Sequence, residues 1–215
     1  MAIDLAKRKR RAARRRLEIM TIGKDMFLTR PYAQVSMESI AEAADLSKAT
    51  LYKYFSSKVE IYSAIILADA QLLADQIRDA FDPEVGVAAN LRRMAHAYMS
   101  FFFGHPEYFE KLSWFYFPGR DRHLSVSLIK EVSLRIDSSR STIEMCLRHA
   151  MARKELRPVN VRSAAMIIYS QWLGLTYLAV AKGTSKGTLH LDYEQLTDMA
   201  CSMHLEGMLR RKSSA

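Results

Sequence analysis

A chain of 215 residues can bury a substantial core, as one large domain or two small ones. With only 8 glycines and 5 prolines, no Asn-Gly hairpin signal, and abundant Leu, Ala, Arg and Met, it predicts an all-α protein and argues against a sandwich or barrel. Cys146 and Cys201 are too few and too isolated for a disulfide framework, and the charged N-terminus lacks the apolar segment of a secretory signal, so the expected compartment is the cytoplasm.

The net charge of +9 is unevenly distributed. Residues 1–16 hold Lys7, Arg8, Lys9, Arg10, Arg11, Arg14, Arg15 and Arg16 against Asp4 alone, whereas residues 17–60 are close to neutral. Such a run is expected to be a disordered, solvated arm over residues 1–13. On DNA it can neutralise phosphates or enter a minor groove. Membrane-surface binding is disfavoured, because no apolar face accompanies the charges.

The first helix is predicted over Arg14 to Thr29, where Ile19, Met20, Gly23, Met26 and Phe27 form an apolar stripe and Pro31 closes it. Its expected role is to pack across the next two helices, which makes Phe27 a core residue. Ser36 to Ile61 carries the densest signal. Met37, Ile40, Ala41 and Ala44 repeat at i, i+3, i+4 and i+7, behind Ser36 as N-cap. Asp45 breaks the pattern with a residue that tolerates the left-handed conformation, Leu46 turns back toward the core, and Ser47 caps a short helix from Lys48 to Tyr54. That helix buries Leu51 and Phe55 and turns Lys48, Ala49, Thr50, Tyr52 and Lys53 outward. Ser57 to Glu60 reads as a capping box opening a third helix. Two helices on a tight turn, the second with a small polar outer face, make a helix-turn-helix suited to the major groove.

The match from Ile19 to Ile61, above all Thr50-Leu51-Tyr52-Lys53-Tyr54-Phe55 followed by Lys58, resembles the DNA-binding domain of the TetR family of bacterial transcriptional repressors. Pro31 and Asp45 stand where that family usually has glycine, and neither is incompatible with the fold. The resemblance implies that Lys48, Ala49, Thr50 and Lys53 face base edges, while Ser36, Thr50, Tyr52, Tyr54 and Lys58 reach phosphates. Ser47, at the helix start, joins this DNA-binding set. The chemistry agrees: phenols donate to phosphate oxygens, and lysines can read guanine in the major groove.

The third helix is expected over residues 57–81, where Asp82-Pro83 ends it, a span of roughly 37 Å. Further helices are predicted near 84–103, 106–116, 121–154 (with a break near Ser138-Ser139), 158–182 and 191–211, about nine in all. Residues 14–60 thus form the DNA-binding domain, 61–211 a helical effector-binding and dimerisation domain, and 212–215 a tail. Tyr98 to Phe117 is unusually aromatic. With a later helix it supplies Tyr98, Phe102, Phe109, Trp114, Phe117, Tyr169 and Trp172 as candidates to enclose a lipophilic or aromatic effector.

Ala164 to Ala181 is uncharged over 18 positions, but Ser170, Gln171 and Thr176 favour a buried helix over a membrane span. By resemblance, this helix and 191–211 pair with their copies in a homodimer, which suits a near-palindromic operator. His96, His105, His123, His149, His190 and His204 are scattered without metal spacing, and no P-loop or nucleophile-elbow pattern is present, so neither catalysis, metal nor cofactor is expected. The predicted function is a dimeric regulator, a repressor released from its operator by a small molecule. The alternative is a regulator of the same fold that binds another protein and has no small-molecule effector.

Overall fold

The structure, a computed structural model, describes residues 2–104, 125–181 and 193–209. Among these, eight α-helices and no strand occur: α1 Ala2–Thr29, α2 Met37–Ala43, α3 Lys48–Tyr52, α4 Lys58–Asp79, α5 Val87–Gly104, α6 Val126–Ala152, α7 Val161–Ala181 and α8 Tyr193–Met208. The all-α expectation is correct. The helix predicted over 106–116 lies outside the described residues. The predicted break near Ser138-Ser139 does not occur: Ser139 is buried in an unbroken α6, and Thr142 and Ser141 return their hydroxyls to the carbonyls of Ser138 and Asp137 on the same helix.

Two compact units divide the chain. The first comprises residues 1–69 with 119–129. In it, Ile19, Gly23 and Phe27 form the buried side of α1, and Phe27 stacks edge-on against Tyr62 of α4 at 5.0 Å. Helices α1 and α4 approach closely at Gly23, where a β-carbon would meet Ile61 Cγ2 at 3.0 Å. Nearby, Lys24 Nζ lies 2.5 Å from Asp69 Oδ1, and the aspartate is buried.

Helix α1 also departs from expectation. It begins at Ala2, so the basic run of residues 7–16 is helical where a disordered arm was predicted. Ala2, Leu5, Ala6, Ala12, Ala13 and the long basic side chains between them are all strong helix formers, and no breaker interrupts them.

The second unit comprises residues 70–118 and 130–215. Helices α5, α7 and α8 pack on one another there. Arg157 closes α8 by donating from its backbone N–H to Met208 O and from its guanidinium to Gly207 O, placing a cation at a helix C-terminus. Helix α7 has two unlike faces in the single chain. Ala165, Ile168, Tyr169, Trp172 and Thr176 are buried, but Met166, Ile167, Tyr177 and Leu178 are exposed on the other face. Among the described residues, no helix is long and apolar enough to cross a membrane.

Candidate nucleic-acid interface and effector site

The turn between α2 and α3 is closed by local chemistry that the sequence contains in full. Ser36 caps α2 by accepting from Ser39 N at 3.0 Å, and Ser39 Oγ accepts from Ser36 N at 3.0 Å, completing a capping box. At the other end Asp45 has φ 51, Leu46 N donates to Ala41 O and Asp45 N donates to Glu42 O. This is a Schellman closure with aspartate at the left-handed position that glycine usually fills. Ser47 then caps α3, accepting from Thr50 N at 3.2 Å, and its hydroxyl also meets that of Thr50 at 2.8 Å.

Helix α3 is pinned by Leu51 and Phe55, both fully buried, and shows Lys48, Ala49, Tyr52 and Lys53 to solvent, with Thr50 and Tyr54 half-buried. Of the predicted base-facing residues, Lys48, Ala49 and Lys53 are therefore accessible on α3 or at its C-terminal cap, and Thr50 is half-buried. Lys48 is held by Glu38 of α2 in an exposed ion pair, which lowers the carboxyl's pKa and raises the lysine's. Contact with DNA would exchange this carboxylate for a base edge or a phosphate.

Lys58 is the predicted phosphate ligand whose surroundings differ most from expectation. Its ammonium donates to the carbonyls of Tyr32 at 2.8 Å and Val35 at 2.7 Å, and it lies 4.2 Å over the Tyr32 ring. Two of three donors are thus engaged in anchoring the segment before α2, leaving one for a phosphate. The capping box predicted at the start of α4 is also rearranged. Ser57 Oγ accepts from Glu60 N, but the Glu60 carboxylate takes the backbone N–H of Ser56 at 2.7 Å rather than that of Ser57.

Glu60 goes there because it also receives Arg16, a residue that local patterning did not single out. Arg16 sits on α1 with its guanidinium donating to Tyr54 O, its Nη2 2.9 Å from Glu60 Oε1, and its plane 3.8 Å from the centre of the Phe55 ring. Next to it, Arg15 Nη2 donates to Ala44 O at 3.3 Å. Two consecutive arginines thus fasten α1 to the turn before α3 and to the segment just after it. Partial burial alone would raise the Glu60 pKa, but the hydrogen bonds from Ser56 and Arg16 outweigh it and the pKa is lowered. The stability this carboxylate contributes is therefore present above its ordinary range and lost as pH falls through the lowered value.

We expect Arg16→Ala to destabilise the first unit by about 2 kcal/mol, combining a charged hydrogen bond with a half-exposed cation–π contact. Arg16→Lys should recover little of this, because an ammonium cannot span both acceptors as a fork does. Thermal melts of the two variants, with binding to specific and random duplex, test it. Equal loss on both duplexes would reduce the role of Arg16 to charge alone.

Of the predicted effector residues, Tyr98 and Phe102 of α5 and Tyr169 and Trp172 of α7 come together in the buried core of the second unit. Tyr98 lies 5.1 Å from Phe102, 5.4 Å from Tyr169 and 5.9 Å from Trp172, ring centre to ring centre. Phe109, Trp114 and Phe117 lie outside the described residues. The Tyr98 hydroxyl is buried and, among the described residues, makes no hydrogen bond of ordinary geometry; burial and the neighbouring Tyr169 push its pKa well above that of a free phenol. Thr176, one turn beyond Trp172 on α7, likewise has a buried hydroxyl without a partner among the described residues.

Comparison with known proteins agrees with this geometry. Residues 19–65 match the model for bacterial regulatory proteins of the tetR family. The transcriptional activator FasR of Mycolicibacterium smegmatis is 31% identical over 87 residues, which is 40% of this chain and 40% of that protein. In fold, the chain is similar to a crystal structure from Mesorhizobium loti assigned to the TetR family, at TM-score 0.74 and 18% identity over 93% of this chain and 99% of that one. The flavonoid-responsive regulator FrrA aligns at TM-score 0.67 and 24% identity over 93% and 100% of the two chains. The fatty acid degradation regulator FadR of Bacillus halodurans aligns at 0.69 and 15% over 88% and 94%. The matched domain is that of bacterial regulatory proteins, and the likeness to the solved structures is one of fold. Residues 19–65 thus carry a tetR-family helix-turn-helix domain, and the chain as a whole is similar in fold to structures assigned to that family.

Proposed function

We propose that the protein is a ligand-responsive repressor that binds a near-palindromic operator as a dimer and leaves it when a small lipophilic or aromatic molecule enters the second unit. The observation that carries the effector half of this reading is the pair of buried hydroxyls of Tyr98, set among aromatic rings, and Thr176, neither with a partner of ordinary geometry among the described residues. A buried hydroxyl without a partner carries an unrecovered desolvation cost, which a ligand's polar group can relieve while its apolar body stacks on the rings. Regulators of similar fold named for flavonoids and for fatty acid degradation make those two ligand classes the first to try.

DNA contact is assigned to Lys48, Ala49, Thr50 and Lys53 at base edges, and to Ser36, Ser47, Tyr52, Tyr54 and the remaining donor of Lys58 at phosphates. Dimerisation is assigned to the exposed faces of α7 and α8. The effector's binding energy changes the DNA affinity only as far as it differs between the DNA-competent and DNA-released forms of the dimer.

The test is release of a bound operator duplex, found by selection of genomic fragments, followed by anisotropy while a flavonoid or a long-chain fatty acid is titrated in. We expect one of them to release the duplex, and Tyr98→Phe with Thr176→Val to weaken the effect at least tenfold without changing affinity for DNA alone. If neither class, nor a broader set of apolar compounds, shifts thermal stability or DNA binding, the reading as a protein-interaction regulator replaces this one. A reporter driven by the operator decides the sign of regulation, and the similarity to an activator makes activation the second reading.

A further inference from the structure

The first turns of α1 carry charge that the helix-turn-helix does not use. Lys7, Arg10, Arg11 and Arg14 fall at i, i+3, i+4 and i+7, so they form one stripe along the helix, and all four are exposed. Arg14 has a carboxylate nearby, Glu18 Oε1 at 3.5 Å; among the described residues the other three face none.

This is an unfavourable place for cations. Like charges three and four residues apart on a helix repel one another. A polyanion alongside relieves that repulsion.

The position of the stripe indicates which polyanion. The next two residues, Arg15 and Arg16, tie α1 to Ala44 O and Tyr54 O on either side of α3, so the basic turns extend directly from the module that carries the recognition helix. Residues 7–14 span about 10 Å as helix, the length of roughly three phosphates along one strand of duplex.

We propose that this helical stripe is a second DNA contact, lying along the phosphate backbone beside the half-site and adding affinity that does not depend on sequence. It rests on the DNA-binding role of α3 and deepens it.

Anisotropy titrations of operator and random duplex between 50 and 200 mM salt test the proposal, using wild type, the triple variant Lys7→Gln/Arg10→Gln/Arg11→Gln, and Ala13→Pro. The triple variant should flatten the dependence of log affinity on log salt by roughly 2.7 per chain. It should weaken both duplexes by the same factor, keeping their ratio. Proline is tolerated as the first residue of a shortened helix, so Ala13→Pro leaves the module folded and every charge in place. Its slope should flatten too, because the stripe loses its rigid mount; an unchanged slope would overturn helical presentation. An unchanged slope in the triple variant, or a changed ratio between the duplexes, would overturn the backbone contact itself. Wild type that binds neither duplex at any salt is a different failure, that of the DNA-binding role beneath it.

Discussion

Replacing Met166 and Met203 together by glutamate is expected to leave a folded monomer of 24.6 kDa, where the proposed dimer of the wild type would show twice that mass in light scattering. Both methionines are exposed, so the chain's own core is not disturbed. Ile167, Tyr177 and Leu178 of α7 and Met199 of α8 are exposed as well. Gly174 of α7 and Gly207 of α8 have nothing within 4 Å of where a β-carbon would stand, so another helix can approach either closely.

A two-fold interface repeats each substitution. Four carboxylates would be buried without partners, each costing several kcal/mol. That exceeds what an interface of ordinary affinity can absorb. Operator binding should weaken by at least a hundredfold, because each half-site is then met by an independent chain, while helicity stays unchanged. Wild type that is already monomeric at micromolar concentration, with DNA affinity equal to the variant's, would remove the dimer from the proposed function.

Lys24→Met is expected to cost about 3 kcal/mol of stability, a fall of roughly 10 °C in the melting temperature. Lys24 and Asp69 pair at 2.5 Å across α1 and α4, with the aspartate side chain 9% exposed and the lysine 27%. Removing the lysine takes this cation from a carboxylate in a low-dielectric setting. The cost reflects the lost partner of a buried charge rather than the net value of the pair. Lys24→Met with Asp69→Leu should therefore recover most of the loss, since a well-packed apolar pair often matches a buried ion pair. A double variant as unstable as the single one would show that the two side chains do not act as a pair.

Because α1 carries Arg15 and Arg16, this pair bears on DNA binding as well as on stability. A loosened α1 moves the two arginines relative to Ala44 O and Tyr54 O, so α3 loses its fixed angle. Lys24→Met should accordingly lower the ratio of specific to random duplex affinity even at temperatures well below its melt.

What the chain's own order determined is everything written in adjacent residues. The apolar period of α2, its serine cap, the left-handed turn at Asp45, the serine cap of α3 and the burial of Leu51 and Phe55 follow from spacing within a few positions. The helix-turn-helix and its outward-facing residues were therefore legible in the residue order alone. The helix over residues 2–13 was present in the alanines and long side chains too, but the charge run masked it, because repulsion between exposed cations is weaker than the summed helix propensity of those residues.

Only the tertiary structure decided which distant groups meet. Arg16 receives Tyr54 O, Phe55 and Glu60, and Lys58 receives Tyr32 O and Val35 O, because α1 and α4 cross the helix-turn-helix at particular angles. Glu60 abandons the predicted capping box for the same reason: Arg16 lies on one side of it and Ser56 on the other. Which side of α7 faces outward was likewise hidden, since a segment uncharged throughout does not show which face its neighbours α5 and α8 cover. Hydrophobic period and capping chemistry are local properties of a chain. The partner of an arginine nearly forty residues away in sequence is set by packing alone.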